Sequence, residues 1–166
     1  MLITKEIEID MAHRLTFHKS KCASWHGHRY KIEVGVDDKI MDTHWSSDYW
    51  MVIDFSDLKQ VMMEELDERY DHWAVFFEGD PYKDDLLAMI HKGSQNPNKL
   101  HFVDFMPTAE NLCKHWYNLL EPRLKEFGIA IAHVKIWETP TSTAIYTKEN
   151  KLSEIMAEEI LKYNNF

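Results

Sequence analysis

Three histidines in this chain have a spacing that chemistry can use. His26-Gly27-His28 places two imidazoles two residues apart, so in an extended chain both point to the same side. His13 belongs to an earlier run, Ile3, Lys5, Ile7, Ile9, Met11, His13, Leu15, Phe17, whose intervening positions are mostly polar, the period of a half-buried strand. Three neutral imidazoles converging on one sheet face would form the ligand set with which zinc keeps a fourth position open for water or substrate. A histidine on an apolar face is also commonly a hydrogen-bonded core residue, and His-x-His is a short motif, so spacing alone leaves both readings open.

Other reactive groups lie near these in the sequence. Cys22 precedes His26 by four residues, and a thiol beside a cation has its thiolate favoured, which suits a base or a nucleophile. The alternative is a small, partly buried, inert residue, a description that fits Cys113 because it adjoins Leu112 and Trp116 on an apolar helix stripe. Asp71-His72 sets a carboxylate beside an imidazole at the close of a helical segment, where it can favour the protonated ring. Glu138 shares a strand face with Val134 and Ile136, and an inward carboxylate there needs a partner: a ligand rich in N–H donors, or a lysine at the rim. Thr108 and Glu110, after Pro107, read as a helix start, with Thr108 as cap and Glu110 in the first turn.

These groups need a scaffold, and its period is legible. The run from Ile3 to Phe17 and a second alternating run, His28, Tyr30, Ile32, Val34, Val36, read as two antiparallel strands. Ser56 to Tyr70 changes to helical spacing, and a second helix runs from about Thr108 to Phe127 with Gly128 placed to end it. Ile129–Glu138 and Ser142–Thr147 read as two further strands. The expected fold class is therefore α+β, in the order β-β-α-α-β-β, with a four-stranded antiparallel sheet and two helices on one face. Connections near residues 42–50 and 77–100 look elaborated, the second holding a short helical candidate at Tyr82–His91, and the tail near 152–163 has helical spacing.

Composition narrows the class. With 166 residues, 45% hydrophobic and 28% charged, the chain is expected to fold throughout as one domain, residues 1–166. Nineteen basic residues against 28 acidic give a formal charge of −9, which argues against nucleic-acid or anionic-membrane partners. No apolar run approaches the ~18 residues of a membrane span, and two cysteines are too few for a disulfide framework, so a cytoplasmic protein is expected.

Taken in order, Met11-Ala12-His13-Arg14-Leu15, Cys22-x-x-x-His26-Gly27-His28-x-Tyr30, Met51-Val52-Ile53-Asp54-Phe55, Asp71-His72, Pro107-Thr108-Ala109-Glu110-Asn111 and Glu138-Thr139 resemble the signatures of the 6-pyruvoyl-tetrahydropterin and 6-carboxy-tetrahydropterin synthase family. The resemblance implies the tunnelling fold, a zinc ion on His13, His26 and His28, and proton transfer by Cys22 with Asp71 and His72. It implies that Glu138 anchors a pterin ring, with Thr108 and Glu110 completing the pocket. The three-residue interval between Cys22 and His26 is similar to the 6-carboxy enzymes of queuosine and 7-deazaguanine synthesis, lyases that act on 7,8-dihydroneopterin triphosphate. It also implies a homo-oligomer, a trimer or a dimer of trimers, with sites shared between subunits, so that Glu138 would reach a neighbour's zinc. Trp50 departs from the pattern, which has glycine before Met51-Val52, and the stretch from His72 to Pro107 is longer than in compact members.

Three alternatives are weighed against that expectation: the pyruvoyl activity, a non-catalytic pterin-binding module, and a cupin-like oxygenase using His26, His28 and Glu33. Glu33 lies on the opposite strand face from His28, which disfavours the last. A module that only binds gives no reason for the thiol of Cys22.

Overall fold

The structure, a computed structural model, describes residues 1–42, 49–90 and 99–164. In chain order the elements are β1 (Leu2–His13), β2 (His26–Asp37), α1 (Phe55–Met62), α2 (Glu68–Tyr70), β3 (Ala74–Phe77), α3 (Lys83–Ile90), β4 (Leu100–Val103), α4 (Ala109–Glu126), β5 (Ile131–Thr139), β6 (Ser142–Thr147) and α5 (Lys148–Asn164).

The alternation read from β1 and β2 is what builds the sheet. The two strands pair antiparallel in a register that sets Ile7 against Ile32, Met11 against His28 and His13 against His26. Ile9, Met11 and His13 are buried on one face with Tyr30, Ile32, Val34 and Val36, while Glu8, Asp10, Arg29 and Lys31 project from the other. β5 and β6 extend the sheet beyond β2, again antiparallel. Helices cover only the apolar face. Leu58, Val61, Met62 and Leu66 from the first helical segment and Leu112, Trp116, Leu120 and Leu124 from α4 close the core against β1, β2 and β5. Each such side chain contributes about 1.5–3 kcal/mol by leaving water. The Asp54 carboxylate caps α1 by accepting from Ser56 N–H at 2.7 Å, Thr108 caps α4, and Gly128 ends α4 in the left-handed region at φ 74°.

The sheet differs from expectation in having six strands, ordered β4-β3-β1-β2-β5-β6, two of them parallel additions. β3 and β4 flank the long connection and are only four residues each, too short to show an alternation. Together with α3 they turn that connection into a parallel β-α-β unit docked on the end of β1, where β3 pairs only with Ala12 and His13. The helix expected over Ser56–Tyr70 is also divided, by a π-type turn at Met63–Asp67 between α1 and α2. The tail helix, α5, starts at once after β6.

Most of the connection expected near residues 42–50 lies outside the described residues. Trp50, which stands where the family pattern has glycine, has φ 70°, the left-handed region that glycine occupies without strain. No helix among the described residues is long and apolar enough to cross a membrane.

Candidate metal and pterin site

The register of β1 and β2 gathers the three histidines. His13 and His26 are direct cross-strand partners, and His28 sits one step along the same face. Ring centroids are 4.5 Å apart for His13 and His26, 5.3 Å for His13 and His28, and 5.0 Å for His26 and His28. One ligand nitrogen from each ring lies within 4.8 Å of the others, so the three form a group that could hold a metal ion.

Neighbouring carbonyls orient two of the rings. The Nδ1 of His13 stands 2.8 Å from the Pro107 carbonyl and the Nδ1 of His26 stands 2.8 Å from the Ser24 carbonyl. A carbonyl oxygen only accepts, so each Nδ1 carries the proton and each Nε2 keeps a free lone pair, the arrangement a ligating imidazole requires. Burial holds the proton affinity of His13 and of His28 below the usual histidine range, chiefly because a charged ring there would lose its water. Neutral imidazole is also the form that binds a divalent ion. The donor set fits zinc: three nitrogen ligands, no thiolate or carboxylate among them.

Glu138, carried on β5 across the intervening β2, faces this group from its own chain. Its Oε1 is 3.7 Å from the His13 Nε2 and accepts a hydrogen bond from the Tyr30 hydroxyl at 3.3 Å. The sheet order β1-β2-β5 thus brings Glu138 to the histidines of its own chain. Tyr30 is fully buried, its ring edge-on to His13, His28 and Trp116, and burial strongly raises its affinity for its proton. It therefore remains a hydrogen-bond donor.

Cys22 lies on a 3-10 turn, Lys21–Ala23, half-buried, and its carbonyl accepts from Leu15 N–H at 2.9 Å, which ties the turn to the end of β1. The segment before it is anchored by an ion pair the sequence did not suggest. Asp80, buried, accepts from the Thr16 hydroxyl at 2.7 Å and stands 3.3 Å from the Arg14 Nε.

Asp71 and His72 do form a dyad, with the His72 Nδ1–H donating to the Asp71 Oδ2 at 2.6 Å. The other carboxylate oxygen, Oδ1, accepts from the Asp10 amide at 2.8 Å, and the His72 amide donates to the Asp10 carbonyl at 2.7 Å. His72 lines a cleft of about 480 Å³ with Ala12, Gly27, His28, Arg29 and Lys99. Among the described contacts of one chain, the dyad does not meet Cys22. Thr108 spends its hydroxyl on the α4 cap, and Glu110 is exposed in the first turn, so within one chain this segment reaches the histidines through the Pro107 carbonyl instead.

Sequence reasoning missed Pro107 and Asp80, whose roles depend on contacts 94 and 64 residues away along the chain. Tyr30 was within reach of it, since it shares the parity of His28. Glu33 pairs with His133 at 3.0 Å on the far face, away from His28 as its parity indicates.

Known proteins resemble this chain over most of its length. Residues 2–149 match the family model described as 6-pyruvoyl tetrahydropterin synthase. The chain is 31% identical over 144 residues to the 6-carboxy-5,6,7,8-tetrahydropterin synthase of Haemophilus influenzae, covering 87% of this chain and 96% of that protein. It is 35% identical over 134 residues to the protein of the same name from Aquifex aeolicus, covering 78% of each. Among solved structures it is similar to an uncharacterized protein of Wolinella succinogenes, with a TM-score of 0.74 and 23% identity over 89% of this chain and 98% of that one. The Caenorhabditis elegans 6-pyruvoyl tetrahydropterin synthase superposes with a TM-score of 0.61 and 21% identity, over 89% of this chain and 94% of that one.

Proposed function

The chain belongs to the 6-pyruvoyl tetrahydropterin synthase family, and from that premise we propose that it is a zinc-dependent 6-carboxy-5,6,7,8-tetrahydropterin synthase. On this reading residues 1–166 act as one cytoplasmic domain that converts 7,8-dihydroneopterin triphosphate to 6-carboxytetrahydropterin, releasing acetaldehyde and triphosphate, a step toward 7-deazaguanine and queuosine. The observation that carries it is the meeting of His13, His26 and His28 with Glu138 on one face, in a chain whose curated relatives bear that name.

His13, His26 and His28 would hold the ion, and zinc there would supply a Lewis acid for the oxygens of the substrate side chain. The protein's own groups then have distinct tasks. Glu138 accepts two parallel hydrogen bonds from the 2-amino group and ring N–H of the pterin, which fixes the ring and aims its side chain at the histidines. Tyr30 donates to the Glu138 Oε1 and so leaves the other carboxylate oxygen unencumbered. The Cys22 thiolate removes a proton from the substrate side chain, and the His72 ring, with its Nδ1 proton held by Asp71, exchanges a second through Nε2.

Among the described contacts Cys22 and the dyad do not touch within one chain, so on this reading a second copy presents its Asp71 and His72 to the first copy's site. The sheet has edges for such an assembly. β6 ends it on one side, and β3 covers β1 only at Ala12 and His13, so joining copies edge to edge into a trimer, or a dimer of trimers, would satisfy exposed backbone groups.

The test is to load the protein with zinc, add 7,8-dihydroneopterin triphosphate, and identify the product by mass together with released acetaldehyde. Formation of 6-carboxytetrahydropterin supports the assignment. A 6-pyruvoyl product without acetaldehyde would transfer the chain to the pyruvoyl activity, and tight binding without turnover would make it a pterin-binding module.

A further inference from the structure

The long connection between His72 and Pro107 does more than add two strands, because β4 returns directly against the turn that carries the dyad. His101 on β4 is sandwiched between the two aromatic residues that bracket Asp71-His72. Its ring stacks on Tyr70 with centroids 5.0 Å apart at 26°, and on Trp73 at 4.5 Å and 27°. Its Nε2–H donates to the Arg69 carbonyl at 2.7 Å, immediately before Tyr70. Lys99 adds two grips, its carbonyl accepting from the Ala74 amide at 3.0 Å and its ammonium lying over the Trp73 ring at 5.5 Å.

This turn needs holding. His72 adopts φ 62°, a left-handed conformation that costs a non-glycine residue roughly 1–2 kcal/mol. Its side chain is 70% exposed, and among the described residues its ring hydrogen bond is the one to Asp71. The backbone of residues 69–74 must therefore set where the imidazole stands, and that backbone is fixed on one side by Asp10 of β1 and on the other by β4. Tyr70 is also anchored beneath, its hydroxyl hydrogen-bonded to the His115 Nε2 at 2.7 Å.

We infer that His101 is a positioning residue for the Asp71-His72 dyad, and that the inserted β3-α3-β4 unit serves this site by delivering His101 between Tyr70 and Trp73. The inference rests on the proton-transfer role proposed above for the dyad, but the clamp itself has a readout that does not need turnover. A His72 ring bonded through Nδ1–H to Asp71 is locked in the Nδ1–H tautomer, which long-range proton–nitrogen correlation NMR of the carbon-bound ring protons distinguishes from the Nε2–H form.

The experiment uses the zinc-loaded full chain labelled with nitrogen-15 histidine, the His72 signals being assigned by their loss in His72→Gln. The unsubstituted protein is expected to show the Nδ1–H tautomer. His101→Ala is expected to lose that preference, with kcat on 7,8-dihydroneopterin triphosphate down by about tenfold or more and KM within about twofold, because a displaced acid–base group affects the chemical step. His101→Phe, which restores the aromatic stack without the donor, is expected to recover the tautomer. If His101→Ala does not fold, His101→Leu keeps the volume without the stack and takes its place. A folded His101→Ala or His101→Leu protein that retains the tautomer overturns the clamp, whatever its activity. Loss of the tautomer in a protein whose unsubstituted form turns over no dihydropterin leaves the clamp standing and removes the proposed reaction instead.

Discussion

His13 and Glu138 face each other across β2, the His13 Nε2 standing 3.7 Å from the Glu138 Oε1 with the Tyr30 hydroxyl beside both. Burial favours the neutral form of the His13 ring, so the pair is not a permanent salt bridge, and the carboxylate can accept from a donor outside the chain.

Removing a ligand should separate metal binding from folding. His26→Ala, at the half-exposed end of the group, is expected to weaken zinc by more than the ~10–100-fold that loss of a residue hydrogen-bonded to a metal ligand causes, with the circular dichroism spectrum retained. Zinc stoichiometry by elemental analysis checks it. Full occupancy in the variant would remove His26 from the ligand set.

Cys22→Ala should behave oppositely. Zinc content is expected to remain near that of the unsubstituted protein while turnover falls by about 10²–10⁴-fold, the range for loss of a positioned acid or base. Equal metal loss in Cys22→Ala and His26→Ala would contradict the separate roles given to them.

Glu138→Gln is expected to weaken pterin binding by about 1.5–3 kcal/mol, roughly ten- to a hundredfold in Kd, since a charge-assisted pair of hydrogen bonds becomes a neutral one. Tyr30→Phe removes a single neutral donor to the same carboxylate, so its effect on Kd is expected to be about 1 kcal/mol. Calorimetric titration with a dihydropterin measures both, and an effect of Tyr30→Phe larger than that of Glu138→Gln would reverse the order of importance.

His115 supplies a pH signature of the fold. Burial holds its proton affinity below the histidine range, with Arg69 adding to the effect, and its Nε2 is hydrogen-bonded to the Tyr70 hydroxyl at 2.7 Å. The unfolded chain takes up that proton near pH ~6.5 but the folded one only at lower pH, so stability is full above about pH 6.5 and declines as pH falls below it. Denaturant titrations between about pH 7 and 5 should show a shallower decline in His115→Gln than in the unsubstituted protein. Identical slopes would mean that the His115 environment admits the charged ring.

Trp50→Gly tests the one departure from the family pattern that carries backbone strain. Relief of the left-handed conformation, about 1–2 kcal/mol, outweighs the added freedom of glycine in the unfolded chain, about 0.5–1 kcal/mol, so a net gain below about 1.5 kcal/mol is expected. Thermal unfolding checks the sign. A lower midpoint would show that the Trp50 ring contact with Tyr49, at 4.8 Å, outweighs the strain.

What the sequence determined by itself is the part governed by period. Parity put His13, His26 and His28 on one face, sent Glu33 to the other, and aligned Glu138 with Val134 and Ile136, because in a strand side-chain direction follows from position alone. Helix spacing and caps gave α1 and α4 for the same local reason. What only tertiary structure decided is whatever depends on which strands become neighbours. The order β1-β2-β5 brought Glu138 to its own histidines, the parallel pairing of β3 and β4 set His101 against the dyad, and the Pro107 carbonyl and Asp80 met partners far away in the chain. Short strands of four residues carry too few positions to show a period, and long-range hydrogen bonds leave no local pattern, so these contacts exist only once the sheet has closed its order.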